Sequence, residues 1–151
     1  MTRAGRDPTQ GHPSGGRWDP GVFDTLYTSL TREGALTEVY FHLSQQPIFP
    51  SKPSYIVNEL KANADSVLTI ADASELPSLG AAVEIFQTRD YKRTQDIGDA
   101  AFFLGFDGMI VPSARGRFQN LVLFTERLAP GQVASVAQEP IDWRSWRATK
   151  H

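Results

Sequence analysis

The chain of 151 residues carries 15 Lys and Arg against 17 Asp and Glu, a formal net charge of −2, so no global field draws it to a phosphate backbone and direct nucleic-acid binding is not expected. Cysteine is absent, which excludes disulfide frameworks, thiolate metal sites and cysteine nucleophiles, and fits a reducing cytosol. Hydrophobic residues make up 40% of the chain, with nine Phe, four Tyr and three Trp, enough for one cooperative core but not for a second domain of ordinary size.

Residues 1–14, rich in Gly, Pro and polar side chains, read as a mobile N-terminal lead-in. They contain no apolar h-region, so no signal peptide is expected, and no window is long and apolar enough for a membrane span. The expectation is a cytoplasmic protein that does not touch membranes. A turn-rich Arg17-Trp18-Asp19-Pro20-Gly21 precedes a short strand over Thr25–Ser29. From Thr31 the period changes: Ala35, Leu36, Val39, Tyr40 and Leu43 recur at helical spacing, predicting an amphipathic helix over Arg32–Ser44. Glu38 lies on the flank of that stripe and His42 one turn further along it.

Residues 45–53 contain three Pro and read as loop. Two strand-like runs, Ser54–Leu60 and Ser66–Ala71, are joined through Ala62–Asp65 and suggest a hairpin. Helices are predicted over 74–80 and 90–104, the second turning Ala100, Ala101, Phe103 and Leu104 to the core, with Gly105 and Gly108 at its exit. Met109–Val111 and Asn120–Phe124 read as buried strands. Residues 131–151 show little pattern beyond Trp143 and Trp146, and are expected to pack as a tail on a domain spanning 15–130. Short strands and helices without regular βαβ alternation indicate an α+β domain.

Several polar residues stand where elements begin or end, and each has a plain role beside a chemical one. Arg17, between glycines and a Trp, can hold a pyrophosphate or carboxylate in a bidentate contact, or can simply stack on Trp18 at the surface. Glu38 can stabilise a developing cation or accept from a sugar hydroxyl, or can be a solvated helix residue. Tyr27 and Ser29 alternate on one strand and point the same way; Tyr27 can stack on a ring or fill the core. Ser113 can reach a cleft or satisfy a turn, and Asn120 can serve a cleft or cap its strand. His42 has no partner apparent in sequence and reads as structural. Arg115 and Arg117 read as a solvated basic loop. The three His, at 12, 42 and 151, are too scattered for a metal site.

Taken in order, these segments resemble the RES family, named for its Arg, Glu and Ser. Gly15-Gly16-Arg17-Trp18-Asp19-Pro20-Gly21 is similar to its first motif. Leu26-Tyr27-Thr28-Ser29 with Gly34-Ala35-Leu36-Thr37-Glu38-Val39 is similar to its second. Asp107 to Arg115 with Asn120 to Phe124 is similar to its third. The resemblance runs from Gly15 to Arg127 and implies an ADP-ribosyltransferase-like split, mixed sheet with flanking helices. It implies a toxin of a bacterial toxin–antitoxin pair that breaks the nicotinamide–ribose bond of NAD by hydrolysis or phosphorolysis, or transfers ADP-ribose to a protein acceptor. NAD would be substrate, with no metal. The partner would be an Xre-type helix-turn-helix antitoxin, and a homodimer within the complex is a further expectation. Arg17 and Glu38 carry over as the principal catalytic pair, with Tyr27, Ser29, Ser113 and Asn120 as cleft residues. Relatives place an extra N-terminal strand with another Arg ahead of the first motif, and the resemblance leaves open whether Arg3 or Arg6 takes that place. The competing expectations are a ribonuclease using His42 and Arg117, and a non-catalytic interaction module.

Overall fold

The computed structural model describes residues 1–50 and 54–150; the end of the predicted loop, 51–53, and His151 lie outside the described residues. In chain order the elements are β1 (Thr2–Arg3), β2 (Thr25–Ser29), α1 (Arg32–Ser44), β3 (Tyr55–Ala62), β4 (Val67–Thr69), two 3-10 segments (Ala73–Leu79 and Val83–Gln87), α2 (Lys92–Phe103), β5 (Gly108–Pro112), β6 (Gln119–Phe124), a 3-10 turn (Thr125–Arg127), β7 (Val133–Ile141) and α3 (Trp143–Ala148). The strands form two sheets, so the fold is the expected α+β class with a split, mixed sheet. One sheet has the order β1-β3-β7 and is antiparallel; the other runs β2-β6-β5-β4, with only the β4–β5 pair parallel. No helix among the described residues is long and apolar enough to cross a membrane.

Local chemistry sets the helix starts. The Thr31 hydroxyl caps α1 by accepting from the Gly34 N–H at 3.0 Å. Asp72 caps the first 3-10 segment, and Gly80, at φ +85°, ends it. Apolar residues divide over two clusters. Trp18, Phe23, Ile70, Met109, Val111, Val122 and Phe124 fill the larger one, between the four-stranded sheet and α2. Leu36, Leu43, Tyr55 and Trp143 form the smaller, where α1 and α3 cover the three-stranded sheet.

Three expectations are corrected. The predicted hairpin does not form: β3 pairs with β1 and β7, whereas β4 pairs with β5 in the other sheet. The linker between them is instead held by the Asp107 carboxylate, which accepts from the Asp65 N–H at 2.9 Å and the Ser66 N–H at 3.3 Å. On α2, Phe103 and Leu104 are 85% and 72% exposed and Ala100 faces solvent. The inward face is Thr94, Ile97, Gly98 and Ala101, the i, i+3, i+4, i+7 series. The unpatterned stretch after Pro130 contains the nine-residue β7. Nearly all of its side chains are exposed, so it carries no alternation for sequence reading to detect, and backbone pairing with β3 makes the strand. The N-terminal stretch is tied at two points, through β1 to β3 and through His12 to Thr25. Arg3 lies in that short strand and, like Arg6, is exposed.

Candidate active site

Cross-strand register lays out the platform. Ser29 pairs with Asn120, which pairs with Val111; one step along, Tyr27 pairs with Val122, which pairs with Met109. Directly paired residues share a face, so Asn120 stands on the same surface that carries the larger core. Helix α1 is pressed close to this platform at its first turn: a Cβ on Gly34 would stand 2.2 Å from the Ser29 hydroxyl oxygen and 3.1 Å from the Phe118 Cβ. One turn on, Glu38 reaches the end of the sheet. Its Oε1 accepts from the Ser113 hydroxyl at 2.6 Å and from the Asn120 Nδ2 at 2.9 Å. Two residues 75 and 82 positions away in sequence thus meet on one carboxylate oxygen of Glu38, and among the described residues no side-chain hydrogen bond engages Oε2.

Ser113 is buried and fully committed: its oxygen accepts the Arg115 N–H at 3.0 Å while its proton points to Glu38. It orients the carboxylate and has no proton to give a substrate. Asn120 presents a buried Oδ1 that has no partner among the described residues. Ser29 stands apart from this group. Its hydroxyl donates to the Gln119 carbonyl at 3.4 Å and accepts the Thr31 N–H at 3.5 Å, closing the turn into α1.

Arg17 sits on the glycine-rich turn, where the Glu38 charge acts on it. Its guanidinium lies 4.7 Å from the Tyr91 ring centre and 5.0 Å from that of Phe86, and its Nη2 donates to the Thr88 carbonyl at 3.3 Å. Nη1 is buried and finds no partner among the described residues. Burial lowers the Arg17 pKa most, with Arg115 adding to the fall, while Tyr91, Glu38 and Tyr27 oppose it. An arginine starts so far above neutrality that it stays charged. A buried, charged N–H without an acceptor is a costly feature unless an anion arrives to meet it.

The turn that carries Arg17 is organised by a residue the sequence reading passed over. Asp19 is 0% exposed. Its Oδ2 accepts from the N–H groups of Ser14, Gly15 and Gly21 at 3.1, 2.8 and 3.3 Å. Its Oδ1 accepts from the Ser14 hydroxyl and the Gly16 N–H, both at 3.0 Å, and from the Tyr27 hydroxyl at 2.5 Å. Burial would raise the Asp19 pKa, but the donors from Tyr27, Gly15, Gly16 and Ser14 together outweigh it and hold the carboxyl below its ordinary value. Gly15 and Gly21, at φ +63° and +82°, supply the left-handed bends that let the N–H groups converge.

Tyr27 is therefore part of this turn. It donates to Asp19 and accepts the Trp18 N–H at 3.0 Å. Burial, then the bond to anionic Asp19, drives its pKa upward, so the phenol stays protonated. Only the partly exposed flank of its ring remains for a ligand. Helix α2 supports the turn from beneath, where the Gln95 side chain donates to the Gly15 and Gly16 carbonyls at 3.3 and 2.9 Å. A Cβ on Gly98 would fall 1.7 Å from the Trp18 carbonyl oxygen, so only glycine allows this approach.

Further cations gather near Glu38. The Arg115 guanidinium lies 3.6 Å from the Phe41 ring centre. His42, adjacent to Phe41 on α1, has a pKa lowered by burial first, raised by Glu38, and lowered again by Arg115, Arg89 and Arg17. Sequence reading gave Arg115 to solvent and did not consider Arg89, Phe86 or Tyr91. Two aromatics, Phe86 and Tyr91, flanking the single Arg89 were the available signal. A separate cavity of about 560 Å³ opens between the two sheets, lined by Leu26, Thr28, Val57, Leu121 and Leu123. It belongs to the other face of the four-stranded sheet and contains neither Glu38 nor Arg17.

A sequence model of the RES domain matches residues 2–147. Among curated proteins, the chain is 26% identical to "NAD(+) phosphorylase MbcT" from Mycobacterium tuberculosis and from Mycobacterium bovis, over 98% of this chain and 85% of theirs. Among solved structures it is similar to a chain of the M. tuberculosis MbcT–MbcA toxin–antitoxin complex. The TM-score is 0.82 at 23% identity, covering 97% of this chain and 84% of that one.

Proposed function

The chain belongs to the RES-domain family, and from that premise we propose that it is a toxin that cleaves the nicotinamide–ribose bond of NAD and passes the ribose carbon to inorganic phosphate. The observation that carries this reading is the Glu38 carboxylate, fixed at one oxygen by Ser113 and Asn120 and near enough to the half-buried Arg17 guanidinium for the two charges to act on each other. Likeness to the mycobacterial NAD(+) phosphorylase supports phosphate as the acceptor.

Breaking the bond to nicotinamide builds positive charge on the ribose ring. A carboxylate already oriented by two donors stabilises that charge without reorganising during reaction. It stabilises the transition state more than the ground state, which is what raises the rate. Nicotinamide departs neutral, so no strong general acid is needed. This suits a site where Ser113 and Tyr27 have both committed their protons. Arg17 holds the pyrophosphate, and its rigid turn keeps the ribose in line, a positioning contribution.

The partner in this reading is an antitoxin of Xre helix-turn-helix type, and the site of action is the cytoplasm. A homodimer within the complex and a protein acceptor of ADP-ribose belong to the same reading as variations on it. Induced expression in a bacterial host without an antitoxin tests it. NAD pools should fall before growth stops, and Glu38→Gln should abolish both effects. Growth arrest with undiminished NAD, or arrest by the Glu38→Gln protein, would defeat the proposal.

A further inference from the structure

The cations of the site occupy two separate places. Arg17 lies between Phe86 and Tyr91, tied to the Thr88 carbonyl. Arg115 lies on the Glu38 side, its guanidinium carbon 3.6 Å from the Phe41 ring centre, with its backbone N–H bound to the same Ser113 hydroxyl that donates to Glu38. It is thus two hydrogen bonds from the reactive carboxylate. His42 extends this row, its ring edge-on to Phe41 at 5.7 Å between centres. Among the described residues, none of Arg17, Arg89 and Arg115 forms an ion pair within 4.0 Å, although the chain as a whole is acidic. Arginines left without a carboxylate partner near one another attract a strongly charged anion. One pyrophosphate would satisfy the Arg17 niche, which leaves the Arg115 niche to be accounted for.

We propose that Arg115, with His42 beside it against the same Phe41 ring, forms the subsite for the attacking anion, inorganic phosphate, on the Glu38 side of the site. The assignment rests on the phosphorolytic reading above and names the residues that select the acceptor. A guanidinium stacked on a ring keeps its N–H edge free for bidentate contact with phosphate oxygens. As the carbon–nitrogen bond to nicotinamide breaks, its electron pair returns to the ring nitrogen. A lone pair on one phosphate oxygen then forms the new bond to the anomeric carbon. Hydrogen phosphate and NAD give nicotinamide and ADP-ribose 1″-phosphate, with no change of oxidation state and the phosphate's own proton later lost to solvent. Water, uncharged, gains nothing from Arg115, so the same residue favours phosphate over hydrolysis.

The test compares the parent with Arg115→Ala and Arg115→Lys in two measurements. The first is initial rates with phosphate and NAD varied in turn; the second is calorimetric binding of inorganic phosphate alone. The expected result is a KM for phosphate raised tenfold or more in Arg115→Ala, partly restored by Arg115→Lys, with the KM for NAD moved far less. Phosphate alone should bind the parent and be lost from Arg115→Ala at an unchanged melting temperature. A phosphate-dependent parent whose Arg115→Ala variant keeps its phosphate KM and its phosphate binding overturns the subsite alone. So does a variant in which only the KM for NAD rises, which makes Arg115 a pyrophosphate contact. A parent that releases nicotinamide at a rate indifferent to phosphate overturns the phosphorolytic reading and the subsite with it.

Discussion

Replacing Asp19 by Asn changes one atom and should nevertheless be among the most damaging substitutions in the chain. Each carboxylate oxygen accepts three hydrogen bonds: Ser14 N, Gly15 N and Gly21 N on Oδ2, and Ser14 Oγ, Gly16 N and Tyr27 Oη on Oδ1. An amide nitrogen on the Oδ2 side opposes three backbone N–H groups. On the Oδ1 side it opposes the Gly16 N–H while the two hydroxyls can turn to accept, so that rotamer is the milder one but still loses the charge and one backbone acceptor. Hydrogen bonds to a charged group contribute about 1.5–3 kcal/mol each, and removing one partner from a buried charged network typically costs roughly 3–5 kcal/mol. At about 3 °C per kcal/mol for a domain of this size, the melting temperature should fall by roughly 10–15 °C. Tyr27→Phe removes one donor and strands only the Trp18 N–H, so its loss should be about 1–3 kcal/mol and clearly smaller. Thermal unfolding of the three proteins reads both values, and NAD turnover below the variant's melting range should fall as the Arg17 turn loosens. An Asp19→Asn protein that melts with the parent and turns over NAD normally would refute the assignment of this carboxylate as organiser of the turn.

The pH dependence of the same group has a definite sign. Its folded pKa lies below the ordinary value of about 4, so its stabilisation is complete at neutral pH and is lost as pH falls through the folded value. The stability gap between the parent and Asp19→Asn, measured by denaturant titration, should narrow below about pH 4; a gap constant to pH 2 would contradict this. Glu38→Gln should lower NAD turnover by at least about a hundredfold, with the melting temperature almost unmoved, because the glutamine oxygen can still accept from Ser113 and Asn120. Arg17→Ala should weaken NAD binding as well as turnover, and Arg17→Lys should restore little, since an ammonium cannot reproduce a planar cation between Phe86 and Tyr91. Calorimetry that finds undiminished NAD binding would count against the anchoring role. Gly98→Ala would gain about 1 kcal/mol at an exposed helical position. At this position the clash with the Trp18 carbonyl should reverse the sign and cost roughly 1–3 kcal/mol, read by denaturant unfolding.

What the sequence could convey depended on periodicity and local chemistry. Helix α1 was legible because Leu36 and Leu43 repeat at helical spacing behind the Thr31 cap, and β2 because its strand run is bounded by turns. Strand partners were not legible. Nothing local tells β4 that its neighbour is β5, some forty residues on, in place of the adjacent β3, and β7, exposed almost throughout, owes its existence to backbone pairing. At the site, Arg17, Glu38, Ser113 and Asn120 could be singled out, but only the fold shows the last three meeting on one oxygen. Tyr27, expected either to stack on a ring or to fill the core, also braces the glycine turn through its hydroxyl, a role its place in the strand does not announce. Asp19 stood in plain view inside the first motif. Its importance depends on four backbone N–H groups converging from the bends at Gly15 and Gly21, a feature no side-chain pattern records.

The most direct measurement incubates the purified protein, freed of any partner, with NAD in the presence and absence of inorganic phosphate and separates the products by chromatography. The account predicts nicotinamide release that rises with phosphate, yields ADP-ribose 1″-phosphate and disappears in Glu38→Gln. Intact NAD under both conditions, or equal release from Glu38→Gln, would contradict it.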